Sequence, residues 1–166
     1  MKATTATSAG PSRSTELAHP ELPGRELQEL WFTLCQRDWR SVVLVPAGEG
    51  ESAGAYALGL GEVGRWLREN PVTFVMKDAL DYASGTQIVA AATSASGPTA
   101  PGRPAPAGRV IVAIQPVTVE PLGLAIAQAA DAVIVCIELG RSKLRDVERT
   151  VALVGRERLA GCFLVS

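Results

Sequence analysis

The stretch VVLVPAGEGES, residues 42–52, decides the fold of this chain. Its first half is a continuous apolar run, rich in β-branched residues, of the kind that parallel sheets bury on both faces. Its second half is a turn that contains Gly48 and Gly50, and an amphipathic helix is predicted behind it over residues 53–68. A strand, a glycine turn and a helix in this order form the layout in which backbone N–H groups point at a phosphate.

The turn departs from the phosphate-binding motif at the position that carries the charge. In the pattern G-x-x-x-x-G-K-[S/T], a lysine follows the second glycine and reaches the β- and γ-phosphates. Here Glu51 and Ser52 follow Gly50, and Val45 stands at the first glycine. A carboxylate beside a triphosphate is repelled by about 1–4 kcal/mol for each unit-charge contact. We therefore interpret the segment as part of a nucleotide-binding fold that has lost its nucleotide chemistry.

Composition excludes several classes of function. The chain has 166 residues, of which 47% are hydrophobic and 20% charged, so it can bury the core of one domain. A net charge of −1 gives no electrostatic footprint for nucleic acid, and we expect none to bind. The only histidine is His19, in the polar N-terminal region. Histidine-based metal sites and Ser-His-Asp or Cys-His arrangements are therefore excluded.

Cysteine usage and hydropathy indicate the compartment. Three cysteines without a CxxC pair are typical of a reducing environment. No apolar run is long enough to span a membrane, and residues 1–24 lack the hydrophobic segment of a signal peptide. We expect a cytoplasmic protein that does not insert into the membrane and that meets it only through a partner.

The chain divides into a tail and one domain. Residues 1–24 are rich in Ser, Thr, Ala, Pro and Gly and are predicted to be a disordered tail. Residues 25–166 are predicted to form the α/β domain, interrupted by a proline-rich loop at residues 94–108 that is extended or unstructured.

Periodicity within the domain predicts alternating strands and helices. Apolar runs predict strands over residues 41–45, 71–76, 109–114, 131–138 and 159–165. Helical spacing predicts helices over residues 25–37, 53–68, 121–130 and 143–156. Residues 82–93 are ambiguous, and a short strand at residues 87–90 is favoured over a helix. This alternation predicts a doubly wound, mostly parallel sheet in a three-layer α/β fold of the P-loop NTPase type.

Four aromatic residues are candidates for a contact with a partner or a second copy: Trp31, Phe32, Trp39 and Trp66. Tryptophan is enriched in the buried part of interfaces. Packing within the domain's own core is the alternative for each of them.

The run AADAVIVCIELGRS, residues 129–142, resembles the "LADaVllVvraGrT" segment of the cytoplasmic P-loop domain of bacterial polysaccharide tyrosine autokinases. These kinases are relatives of the MinD/ParA ATPases and pair with polysaccharide co-polymerases in capsule and exopolysaccharide export. The resemblance covers residues 26–166. The predicted first helix lies where the family has its oligomerisation helix, but it lacks the arginine-bearing motif of that helix.

The resemblance implies catalytic positions that this chain does not keep. Glu51 stands at the phosphate-binding lysine. Met76 and Asp78 stand at the two aspartates of the second-strand motif, and Ala113 stands at the aspartate of the third. The family's tyrosine-rich tail is not matched either, since the sequence has two tyrosines. Magnesium-assisted phosphoryl transfer depends on the lysine and the carboxylates, so we expect no kinase activity.

The remnant of the nucleotide site comprises Gly48, Gly50, Ser52 and Asp78, and we expect it to be non-functional. Asp78 also has a simpler interpretation as the N-cap of a following helix. Lys77 is a candidate to replace the lost lysine, and an ordinary surface lysine at a strand end is the alternative. With the family's catalytic positions lost, we expect no catalytic residues, no metal site and no cofactor.

The resemblance implies a non-catalytic pseudo-ATPase or pseudokinase that acts as a scaffold or regulatory subunit in bacterial exopolysaccharide or capsule biosynthesis and export. The expected partner is a protein, either a membrane polysaccharide co-polymerase or a second copy bound through the N-terminal helix. The alternative is a MinD/ParA-like ATPase that binds ATP and magnesium and positions a secretion, motility or division apparatus, because a fold does not fix the process it serves.

Overall fold

The computed structural model describes residues 24–69, 71–94 and 108–165. The strands are β1 (Ser41–Pro46), β2 (Val72–Val75), β3 (Val110–Ala113), β4 (Ala132–Glu138) and β5 (Leu159–Val165). The helices are α1 (Arg25–Leu34), α2 (Gly54–Trp66), α3 (Ala79–Ser94), α4 (Leu122–Ala129) and α5 (Leu144–Val154). The predicted tail at residues 1–24 and the predicted loop at residues 94–108 lie almost wholly outside the described residues.

The five strands form one parallel sheet in the order β2-β3-β1-β4-β5. β1 is central, and its residue Val43 pairs with Val112 of β3 on one side and with Val133 of β4 on the other. Every residue of β1 is buried, as its β-branched sequence predicts for a strand covered on both faces. The predicted parallel, three-layer α/β fold is therefore confirmed.

Alternate residues of β1 contribute to two separate cores. Val42 and Leu44 pack beneath α1 and α2, whereas Val43 and Val45 pack on the opposite face beneath α3 and α4. The C-terminal end of α5 joins the second core through Val154. The connection that leaves β1 thus crosses one face of the sheet, and the later connections cross the other.

The short strand expected at residues 87–90 is wrong, because this segment lies inside α3. Tyr82 and Val89, two helical turns apart, are both buried in the core of the second face. A Cβ at Gly85 would lie 2.8 Å from Ile126 of α4, so the two helices pack closely. Burial of a helical stripe at this spacing outweighs the β propensity of the β-branched residues in the segment.

Two of the four aromatic candidates belong to the core and not to a surface. Trp31 and Trp39 are 0% and 2% exposed, and their rings meet edge to face with centroids 5.6 Å apart. The Arg109 guanidinium lies 5.4 Å and 4.7 Å from these two ring centroids. Phe32 and Trp66 are 57% and 48% exposed and are accessible to a partner.

A glycine on α2 sets the distance between α1 and α2. A Cβ at Gly64 would lie 2.5 Å from Cη2 of Trp31 and 2.5 Å from Cγ of Pro71. Both neighbours are rigid rings, so neither can move away by rotating about a flexible chain. The buried Trp31 therefore requires glycine at this position of α2.

We predict that Gly64→Ala lowers the free energy of unfolding. Overpacking a filled core costs about 1–3 kcal/mol, which exceeds the gain of up to about 1 kcal/mol from alanine in a helix. Urea denaturation measures the difference. Gly161→Ala is the control, because a Cβ at Gly161 meets nothing within 4 Å. A Gly64→Ala variant as stable as the native chain would contradict this packing.

No helix in the described ranges is long and apolar enough to cross a membrane.

Candidate functional site

The candidate site lies where the carboxyl ends of β1 and β4 meet. These neighbouring strands send their following helices, α2 and α5, to opposite faces of the sheet. In open parallel sheets, ligands bind in the crevice outside such a switch point. Two turns border the crevice here: the glycine turn at residues 47–53, which follows β1, and the turn at residues 139–143, which follows β4.

The glycine turn folds back onto its own acidic residue. The Ala47 N–H donates to the Cys136 carbonyl at 2.9 Å, which extends the pairing of β1 with β4 by one residue. A Cβ at Gly48 would lie only 2.6 Å from Oε1 of Glu51, so the close approach of this carboxylate requires glycine there. Gly50 has a φ of +77°, in the left-handed region that favours glycine.

Glu51 is the buried acidic residue of the site, at 7% exposure. Its Oε2 accepts the Gly48 N–H at 3.2 Å, and its Oε1 accepts the Ser142 hydroxyl at 2.7 Å. The Ser142 oxygen in turn accepts the Glu138 N–H at 2.8 Å. No ion pair joins Glu51 to a cation among the described residues. The carboxylate is thus held by hydrogen bonds inside the turn and bridges the crevice between β1 and β4.

Arg141 is a cationic residue that hydrogen-bonds to the glycine turn. Its Nη1 contacts the two carboxylate oxygens of Glu138 at 3.0 Å and 3.2 Å, and its Nη2 donates to the Gly50 carbonyl at 3.4 Å. Its side chain is 58% exposed, so it lies at the rim of the crevice. Arg141 therefore links the two turns on their exposed side, and it forms no ion pair with Glu51.

Three of the four predicted site residues lie in one turn. Gly48 and Gly50 flank Glu49, and the Ser52 hydroxyl accepts the Gly54 N–H at 3.3 Å where α2 begins. Asp78 follows β2, which lies two strand positions from β1, a separation of about 10 Å at the spacing of a sheet. The end of β2 packs against the start of α2, since a Cβ at Gly54 would lie 3.2 Å from Cγ1 of Val75, three residues before Asp78.

Asp78 has a local partner. Its Oδ1 accepts the Asp81 N–H at 3.1 Å in the first turn of α3, which is the contact of an N-cap. Asp81 accepts the Lys77 N–H at 3.1 Å in return. The two hydrogen bonds hold the start of α3, and the one to Asp78 agrees with its simpler interpretation as an N-cap.

The ends of β2 and β3 are closed by apolar side chains. Met76 and Ala113, which stand where the resemblance places aspartates, are 4% and 2% exposed. The Tyr82 hydroxyl accepts the Gln115 N–H at 2.7 Å just beyond β3. Desolvation raises the pKa of Tyr82 even though this hydrogen bond opposes the shift, so the phenol stays neutral. None of these groups is suited to bind a metal or a phosphate.

Ser142 is not among the predicted site residues, although it holds Glu51 in place. It lies 91 residues from Glu51 in the chain, and only the pairing of β1 with β4 brings the two together. The position of Ser142, directly after a turn that follows a buried strand, is visible in the sequence. Only the strand order shows that this turn lies beside the glycine turn. Within the described residues, no group of three or more His, Cys, Asp or Glu side chains is placed to hold a metal ion.

Comparison with solved structures finds a similar fold in the BceF tyrosine kinase domain. The TM-score is 0.51, and the match covers 83% of this chain and 75% of that domain at 12% sequence identity. No protein-family model matches the chain, and a comparison with curated protein sequences gives no match. At this identity the similarity shows a shared α/β fold and nothing finer.

We predict that Glu51 and Ser142 are energetically coupled. Removal of one partner leaves the other buried and unsatisfied, which costs about 1–3 kcal/mol. In a double-mutant cycle of Glu51→Ala and Ser142→Ala, we expect a coupling energy of about 0.5–3 kcal/mol in urea denaturation. Glu49→Ala is the control, because Glu49 is exposed in the same turn. Additive effects of the two changes would contradict the contact.

We also predict that Cys136, which lies on β4 beneath the turn, is unreactive in the native chain. Burial raises its pKa to about 12, and the charges of Glu51 and Cys162 act in the same direction. A raised pKa keeps the thiol protonated at about pH 8, and only the thiolate attacks, so the buried thiol should not react.

Thiol labelling with Ellman's reagent tests the reactivity of Cys136. Cys35 is exposed and should react in the native chain, whereas Cys136 should react only in denaturant. In a Cys136→Ser variant, the additional reaction in denaturant should decrease. Rapid labelling of all three cysteines without denaturant would show that Cys136 is not enclosed.

Proposed function

We propose that this protein is a non-catalytic P-loop-like domain that acts as a scaffold or regulatory subunit. The observation that supports this most directly is the buried Glu51 carboxylate, which accepts hydrogen bonds from Gly48 and Ser142 inside the glycine turn. A nucleotide phosphate would need the same region. The protein supplies its own anion there.

Electrostatics oppose the entry of a phosphate. The Gly48 N–H, a backbone donor of the turn, already donates to Glu51. A phosphate that displaced the carboxylate would leave Ser142 without its partner, and one that entered beside it would face a like charge. Each such contact costs about 1–4 kcal/mol at effective dielectrics of 80 to 20.

The ends of the neighbouring strands support the same proposal. Phosphoryl transfer relies on a cationic lysine for the phosphates and on oxygen ligands for Mg²⁺. Met76 and Ala113 are buried at the ends of β2 and β3 and offer neither. Asp78 has two carboxylate oxygens, of which Oδ1 caps α3.

The process in which the protein acts is proposed from the resemblance. We place it in bacterial exopolysaccharide or capsule biosynthesis and export, with a membrane polysaccharide co-polymerase as the protein partner. The fold shared with the BceF tyrosine kinase domain is compatible with this role. Phe32 on α1 and Trp66 on α2 are the exposed aromatic residues through which such a partner could bind.

Thermal unfolding with nucleotides tests the proposed function. A ligand that binds the native state raises stability by RT ln(1 + [L]/Kd). We expect no shift of Tm for the native chain in saturating ATP, ADP or GTP, with or without Mg²⁺. The charge-reversed variants Glu51→Lys and Glu49→Lys form a matched pair. We expect only Glu51→Lys to lower the Tm without ligand, since only Glu51 is buried in the turn.

A magnesium-dependent rise of several degrees in the native chain would overturn the proposal. It would favour the alternative of a nucleotide-binding, MinD/ParA-like positioning module. A hydrolysis assay with Lys77→Ala would then ask whether the exposed lysine at the end of β2 serves the phosphates.

A further inference from the structure

The strand β5 is an open edge of the sheet. Within the described residues it pairs with β4 alone. Its sequence, LAGCFLV, contains no charged residue and no proline. Cys162 is exposed, and Leu164 is 58% exposed. Edge strands with unpaired N–H and C=O groups are templates for another strand, and charges or prolines usually block them. The strand β5 has neither a charged residue nor a proline.

A groove runs beside this edge, between α1 and β5. It encloses a cavity of about 340 Å³, and its walls include Leu30 of α1 and Phe163 of β5. Glu26 borders a second depression together with Val165, so the N-terminal end of α1 lies beside the C-terminal end of β5. The helix and the edge strand therefore run in opposite directions.

We propose that β5 and this groove form an interface between two copies of the chain. Two identical edges related by a twofold axis perpendicular to the sheet pair as antiparallel strands, and the two sheets become one. Because β5 carries no charge, no like charges oppose each other across the seam. The inference goes beyond the proposed function, since it stands whether or not the glycine turn binds a nucleotide.

The charges along the groove favour a second copy as the partner. Glu26 and Glu29 line the groove, and so does Arg37, which lies beyond the C-terminal end of α1. The twofold axis keeps both α1 helices on the same face and turns them antiparallel. Glu29 pairs with Arg25 of its own helix. Glu26 is therefore the carboxylate that approaches Arg37 of the other copy on each side of the axis. Such charges at the rim of an interface fix its register and orientation.

The position of Cys162 provides a direct marker of the pairing. Cys162 is the central residue of the seven in β5. Antiparallel pairing of the full strands places it opposite its own copy, at a Cα separation of about 4.5–5.5 Å. A disulfide spans Cα separations of about 4.4–6.8 Å. Two Cys162 thiols in the dimer are therefore within reach of one another.

Sedimentation velocity of the full chain without nucleotide tests the dimer. We expect the native chain to sediment as a dimer and Leu164→Lys to sediment as a monomer, because a lysine on the edge blocks pairing. Leu144→Lys is the matched control; Leu144 is 73% exposed but lies on α5, and this variant should remain a dimer. A monomeric native chain, or an oligomer that Leu164→Lys leaves intact, would overturn the proposal.

Cross-linking tests the register independently of that variant. In a Cys35→Ser background, diamide takes two electrons and two protons from a pair of thiols, which leaves one disulfide and the reduced hydrazine. We expect a covalent dimer that is lost when Cys162→Ser is added, since Cys136 is buried. Absence of the cross-link in a sample that sediments as a dimer would rule out pairing centred on Cys162. Because neither measurement involves nucleotide, failure here is distinguishable from failure of the proposed function.

Discussion

The complete burial of β1 constrains the rest of the molecule. A strand with a neighbour on each edge and helices on each face has no contact with water, so its backbone groups must pair with β3 and β4, and its side chains must fill two cores. Val42 and Leu44 serve one core, and Val43 and Val45 serve the other. Helices must therefore cover both faces of the sheet, which is the arrangement of a doubly wound fold.

The same arrangement determines what lies at the carboxyl end of β1. The strand must end in a turn beside the turn that follows β4, and in this chain the two turns are joined by Glu51 and Ser142. A buried carboxylate is costly to desolvate unless hydrogen bonds hold it. Here Gly48 and Ser142 supply those bonds. The crevice that parallel sheets commonly use for a ligand is therefore occupied by the protein's own side chain.

Much of this fold is predictable because its strands are buried on both faces. Their continuous apolar runs, and the stripes of the helices between them, mark most of the elements. Residues 87–90 are the exception, since Ile88 and Val89 favour a strand locally and only packing against α4 shows that they belong to a helix. The burial of Trp31 and Trp39 is likewise a tertiary property, because it depends on the close contact with Gly64 and on the position of Arg109.

The site was predictable only in part. The sequence alone identifies Glu51 as the residue that departs from the phosphate-binding motif. It does not reveal that the side chain turns inward, because the hydroxyl that holds it lies 91 residues away on another strand's turn. Asp78 shows the opposite limit. Its spacing suggests a relic of a metal site, whereas its hydrogen bond with the Asp81 N–H is that of a helix cap.

We propose that the Glu51 carboxylate takes the place of a bound anion. The most direct measurement is a crystal structure of the full chain in concentrated ammonium sulfate, because sulfate has the shape and charge of a phosphate group. We predict that Glu51 remains on the Gly48 N–H and the Ser142 hydroxyl and that the turn holds no sulfate. A sulfate bound by the backbone of the turn, with Glu51 displaced into solvent, would contradict the account.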